Sequence, residues 1–104
     1  MSKKPESRLQ RKIRTRLASE FPRSWFIKIH GSPFQPSGTA DLLGCVEGLF
    51  FALEVKMPGE EPSELQKDSL REIRRAGGIA ECVETEEEAV AIVRKAIRLS
   101  TTRT

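Results

Sequence analysis

The chain has 104 residues, enough for one domain with little room for a second. Hydrophobic residues make up 38% and charged residues 32%, which supplies one modest core and excludes wholesale disorder. The net charge of +3 is unevenly spread: residues 1–30 hold nine Lys/Arg against two Glu, and residues 31–104 hold nine against thirteen acids.

A basic first element suits a polyanionic partner, of which nucleic acid is the commonest, although a solvated helix face would carry the same charges. No apolar run approaches the roughly 20 residues that span a bilayer. The basic start MSKKPESRLQRK has no apolar segment behind it, so it does not read as a secretory signal, and a cytoplasmic protein is expected. Cys45 and Cys82 are far apart and read as two core thiols in a reducing compartment. His30 is the only histidine, which leaves no ligand set for a structural zinc.

Pro5 to Glu20 predicts a helix, with Pro in the first turn. Leu9, Ile13 and Leu17 form its apolar stripe. At about 100° per residue, Glu6 falls in line with that stripe, whereas Arg8, Arg11, Lys12 and Arg14 fall mostly away from it. An acid on an inward face is expensive unless something pairs with it.

Pro22 closes the helix, and Ser24 to His30 alternates as a strand. Trp25, Ile27 and Ile29 share one face, and that phase assigns Trp25 to the core. The stretch GSPFQPSGT is a loop by its Gly and Pro content. ADLLGCV and LFFALEVK are two strands joined at Glu47-Gly48 by a tight hairpin turn. Ser63-x-x-Gln66 and Thr85-x-x-Glu88 fit capping boxes. They open one helix that ends at Gly77-Gly78 and a last one running to about Leu99. Ile79 to Glu84 is a short strand between them. In the last helix Ala89, Ile92, Val93, Ala96 and Ile97 form the buried side. The expected fold is therefore α/β in the broad sense, a mixed sheet of α+β type in the order α-β-β-β-α-β-α with flanking helices.

Within that frame, Glu54 and Lys56 leave the same face of an otherwise apolar strand. The hairpin folds Asp41 back toward Glu54. Two carboxylates from neighbouring strands beside a lysine suit a hard divalent cation that keeps several waters. The competing readings are an ordinary ion pair for Glu54 and Lys56, and a turn residue for Asp41. For Gln66, the capping box alone is a sufficient reason, but it shares a face with Leu70 and Ile73 that looks toward the sheet. Glu6 could equally be a first-turn acid favoured by the helix dipole.

Asp41, then a hairpin, then Glu54-Val55-Lys56 resembles the PD-(D/E)XK nuclease superfamily, and more closely its small stand-alone VRR-NUC branch. That branch has a glutamate on an N-terminal helix, a Gly-containing loop leading into the Asp, and a Gln on the helix after the Glu-x-Lys strand. Glu6, Gly38-Thr39-Ala40-Asp41-Leu42-Leu43, Glu54-Val55-Lys56 and Gln66 stand in those places, and Gly77-Gly78 precedes a strand. Ala40 departs from the proline that many members carry there.

The resemblance implies a restriction-endonuclease-like core and metal-dependent hydrolysis of DNA phosphodiesters, leaving a 5′-phosphate. The implied catalytic set is Glu6, Asp41, Glu54, Lys56 and Gln66. Asp41, Glu54 and the backbone carbonyl of Val55 would ligate Mg²⁺ or Mn²⁺. Branched DNA, a Holliday junction or a flap, is the implied substrate, a homodimer the implied assembly, and the location DNA-associated. Lys3, Lys4, Arg8, Arg11 and Lys12 are candidates for phosphate contacts, and Phe34 for a DNA-facing or dimer-facing contact. A non-catalytic basic DNA- or RNA-binding module is the contrasting expectation, with an inactive nuclease-fold scaffold as a third.

Overall fold

A computed structural model describes residues 4–30 and 38–101. The elements are α1 (Lys4–Glu20), β1 (Ser24–Lys28), β2 (Leu42–Val46), β3 (Leu49–Val55), α2 (Glu64–Arg75), β4 (Ile79–Val83) and α3 (Glu86–Thr101). This is the order expected from the sequence, with the first strand and β4 ending before His30 and Glu84. Most of the GSPFQPSGT loop and the end of the tail lie outside the described residues.

Local chemistry sets these elements. Glu47 and Gly48 take positive φ, 49° and 85°, and so form the tight turn that joins β2 to β3. Ser63 caps α2 with a complete capping box. At α3 the Thr85 hydroxyl accepts from the Glu88 amide at 3.0 Å, while the Glu88 carboxylate accepts from the Glu84 amide.

The sheet runs β1-β2-β3-β4, antiparallel between the first three strands and parallel between β3 and β4. Its two faces are unequal. On one, α1 and α3 cover a core that includes Ile13, Leu17, Leu42, Phe51, Leu53, Val55, Val83 and Val93. On the other, α2 lies over β3 and β4, where Ala52 and Ala80 meet Leu70. Small residues on this side let α2 pack close to the strands.

One strand face was misassigned by periodicity. Trp25 is 62% exposed and Phe26 is buried, so β1 turns its Phe26 side to the core. Trp25, Cys45 and Phe50 form a cross-strand row on the α2 side of the sheet, running from the uncovered β1 edge to the start of β3. All three are exposed, which also corrects the reading of Cys45 as a core thiol; Cys82 is half-buried. The Phe26 ring lies over Gly44, where an added Cβ would come within 2.2 Å of a ring carbon. Gly44→Ala is therefore expected to cost about 1–3 kcal/mol by overpacking, read as a lowered melting temperature. An unchanged melting temperature would mean that Phe26 does not lie on this glycine. Among the described residues, no helix is long and apolar enough to cross a membrane.

Candidate active site

The hairpin register pairs Leu42 with Leu53, which sets Asp41 opposite Glu54 on the face that carries α2. The approach to Asp41 is pinned at Gly38. Its φ is +86°, and a Cβ there would sit 2.6 Å from the carbonyl oxygen of Leu65 in the first turn of α2. The segment before Asp41 can pass this close to the helix only with glycine at that position. Asp41 Oδ2 then accepts from the Val55 amide at 2.8 Å, across the two strands.

Glu54 is 1% exposed. Its Oε2 accepts from Gln66 Nε2 at 2.7 Å and lies 3.4 Å from Lys56 Nζ. Gln66 does both things that its sequence position allowed. Its Oε1 accepts from the Ser63 amide at 2.8 Å, closing the helix cap, and its amide nitrogen holds Glu54. The other oxygen, Glu54 Oε1, is buried without a hydrogen-bond donor among the described residues. The Asp41 and Glu54 carboxyls, opposite each other on neighbouring strands, act on each other electrostatically.

The electrostatics follow from this crowding. Burial, reinforced by the Asp41 carboxylate, pushes the Glu54 carboxyl up to about 7, against the pull of Lys56. Burial also raises Asp41, in part offset by the Val55 amide and by Lys56. For Lys56, burial works against the ammonium, but Glu54, Glu6 and Asp41 outweigh it and hold the group above its ordinary range. The first turn of α1 brings Glu6 to the same place. Burial and then the Asp41 carboxylate push its carboxyl up, with Lys56 opposing.

The cluster thus unites Glu6, Asp41, Glu54, Lys56 and Gln66, drawn from α1, the hairpin and α2. Val55 contributes its amide to Asp41, and its side chain is buried on the opposite face. Three neighbours were not singled out from the sequence. Glu60, after the Pro58-Gly59 turn, bears on Glu6. Lys28 bears on Asp41. Cys82 pairs in register with Glu54, and burial together with that carboxylate raises its thiol. Of the expected phosphate contacts, Arg8, Arg11 and Lys12 are exposed on α1. Lys3 and Phe34 lie outside the described residues, as does the side chain of Lys4.

The donor set can be tested against a divalent cation. Among the described residues no three His, Cys, Asp or Glu side chains converge into a closed metal cage. Mg²⁺ does not need one, because it binds through one or two carboxylates and retains waters. A buried carboxylate oxygen without a donor, facing a second carboxylate, is in want of a proton or a cation. Asp41 and Glu54 fit such an ion.

A four-stranded mixed sheet with this helix arrangement is a VRR-NUC-like fold. Among solved structures, a "VRR_NUC domain" matches with a TM-score of 0.69 at 21% identity, covering 86% of this chain and 94% of that one. No protein-family model matches the sequence, and no curated protein does. At that identity the likeness is one of fold, so the chemistry rests on the side chains just described.

Proposed function

We propose that this protein is a metal-dependent nuclease that hydrolyses DNA phosphodiester bonds. The observation that carries the reading is the buried Glu54, with one oxygen lacking a donor among the described residues, set against Asp41 and with its other oxygen 3.4 Å from Lys56 Nζ. The fold likeness to a VRR_NUC domain supports it. Asp41 and Glu54, with the Val55 carbonyl, would hold Mg²⁺ or Mn²⁺. When bound, such an ion polarises the scissile phosphate and lowers the pKa of a coordinated water.

The chain's own groups do the rest. The Val55 amide and Gln66 fix the two carboxylates, so neither has to reorganise during the reaction. Lys56 keeps its proton and offers a positive charge to a phosphoryl oxygen as negative charge builds there. Glu6, with its carboxyl raised, can accept a hydrogen bond from the attacking water. Structure selectivity for a Holliday junction or a flap, and action as a homodimer, belong to the same proposal. A two-fold junction suits a two-fold enzyme.

Cleavage of a labelled four-way junction, a flap and a linear duplex, each in Mg²⁺, Mn²⁺ or EDTA, tests it. Metal-dependent cutting, faster on the branched substrates, is expected. Binding of all three without cutting under every metal condition would favour a non-catalytic DNA-binding module.

A further inference from the structure

The geometry points to a second anion site beside the catalytic cluster, a pocket between α1 and β1 that holds one non-scissile phosphate of the nucleic-acid backbone. It rests on the nucleic-acid part of the function proposed above, and not on the chemistry. The pocket has a volume of about 120 Å³ and is lined by Ser7, Gln10, Arg11, Arg14, Lys28 and Leu42. That is room for a phosphate group and too little for a nucleoside.

Ser7, Gln10, Arg11 and Arg14 follow the i, i+3, i+4, i+7 spacing of one helix face, next to the stripe that enters the core. Lys28, at the end of β1, closes the pocket from the sheet. Three cations thus surround a concave site with a hydroxyl and an amide, which is the donor set that phosphate contacts use.

Cations without an ion pair among the described residues meet a buried amide in this pocket. Further along α1, Arg16 is tied to Glu20, Glu86 and Glu87, and on α2 Lys67, Arg71, Arg74 and Arg75 each have an acidic partner. Arg11, Arg14 and Lys28 have no ion pair among the described residues. Moreover, Gln10 is 5% exposed, and its buried Oε1 has no hydrogen-bond partner among the described residues. A buried amide with an unpaired end in a cationic pocket is an unfinished hydrogen-bond set. Gln10 lines the pocket, where its amide nitrogen can donate to an anion.

Position argues for nucleic acid and not for a free anion. Ser7 follows Glu6 in the chain, Lys28 acts on the Asp41 carboxylate, and the amide of Ile29, next to Lys28, donates to the Asp41 carbonyl at 2.7 Å. A strand whose scissile phosphate lies at Asp41 and Glu54 therefore passes this pocket with another of its phosphates. Arg8 and Lys12, exposed on the same helix, extend the basic surface.

The test is equilibrium binding of a fluorescent four-way junction in Ca²⁺ at several salt concentrations, for wild type, Arg14→Gln, Lys28→Gln and Lys95→Gln. The last removes a charge on α3 that has no ion pair among the described residues and does not line the pocket. Arg14→Gln and Lys28→Gln are each expected to weaken binding about tenfold and to lower the log–log salt slope by about one, while Lys95→Gln changes neither. Equal losses in all three variants, no loss in any, or no binding by wild type would each overturn the proposal. Displacement of the DNA by micromolar inorganic phosphate would also overturn it, by assigning the pocket to a free anion.

A parallel cleavage assay in Mg²⁺ keeps the two readings apart. Selective binding losses in a protein that never cuts would sink the nuclease and leave the pocket. Cutting by a protein whose Arg14→Gln and Lys28→Gln variants bind as wild type does would leave the nuclease and sink the pocket.

Discussion

At pH 8 in EDTA, Glu54→Gln is expected to be more stable than wild type by on the order of 3 kcal/mol, and in Mg²⁺ to have lost cleavage. Glu54 is 1% exposed and faces the Asp41 carboxyl, so ionising it in the folded chain is unfavourable. Its carboxyl loses its proton near 4.5 in the unfolded chain and at about 7 in the folded one. Between those values the folded state binds more protons than the unfolded state. Stability contributed by this group is therefore full below about pH 4.5, falls as pH rises, and is gone above about pH 7.

The glutamine amide carries no charge to bury. It still accepts from Gln66 and can donate to Asp41, so this pH-dependent loss should vanish in the variant. A divalent ion should do for the wild type what the amide does for the variant. Mn²⁺ is expected to raise the wild-type melting temperature at pH 8 and to leave that of Glu54→Gln almost unchanged. Thermal unfolding at pH 5 and pH 8, with EDTA and with Mn²⁺, reads all four conditions. A variant less stable than wild type at pH 8 in EDTA, or stabilised equally by Mn²⁺, would mean that Glu54 is an ordinary ion-pair partner of Lys56.

The second large effect is expected from Gln66→Glu. This change keeps the oxygen that accepts from the Ser63 amide, so the helix cap survives. It replaces the nitrogen that donates to Glu54 Oε2 at 2.7 Å by a second carboxylate oxygen. At pH 8 without metal, two carboxylates would then meet at a buried position already crowded by Asp41. A loss of about 3 kcal/mol or more is expected, in the range found when a buried charge loses its partner. The loss should shrink at pH 5, where one of the acids takes up a proton. Gln66→Met, which removes both contacts, should lose about 1 kcal/mol from the cap at either pH, in addition to the Glu54 contact. If Gln66→Glu unfolds like wild type at pH 8, Gln66 serves the cap alone.

These contrasts depend on residues that differ in how far the sequence reveals them. Asp41, Glu54 and Lys56 were legible because strand alternation and a two-residue turn fix which side chains share a face and which stand opposite. Glu6 was legible through helical phase. Gln66 left two readings open from the sequence, since a capping box and a face turned toward the sheet both place a Gln there, and in the structure it closes the cap and holds Glu54.

Trp25 shows where the method stops. A period of two says which residues lie together and does not say which side of the sheet is covered. The covered side depends on where α2 packs, and it packs on β3 and β4 while Trp25 stands on β1 at the edge. Cys45, read as a core thiol from its distance to Cys82 and a reducing compartment, stands on the same uncovered face. The pairing of Cys82 with Glu54 was hidden because β3 and β4 are parallel, and no short turn fixes their register. Lys28 and Gln10 escaped notice because a pocket between a helix and a strand edge comes from packing, not from spacing along either element.

Single-turnover cleavage of a junction by Lys56→Ala, beside wild type, tests the catalytic cluster most directly, with binding of the same DNA measured in Ca²⁺. The Lys56 side chain is 16% exposed and its one ion pair among the described residues is with Glu54, outside the apolar core, so its removal should leave fold and binding nearly intact. Cleavage slowed by about 10²–10³ with affinity within a few-fold of wild type is the expected result. Cutting by Lys56→Ala at the wild-type rate would contradict a catalytic centre at Asp41, Glu54 and Lys56.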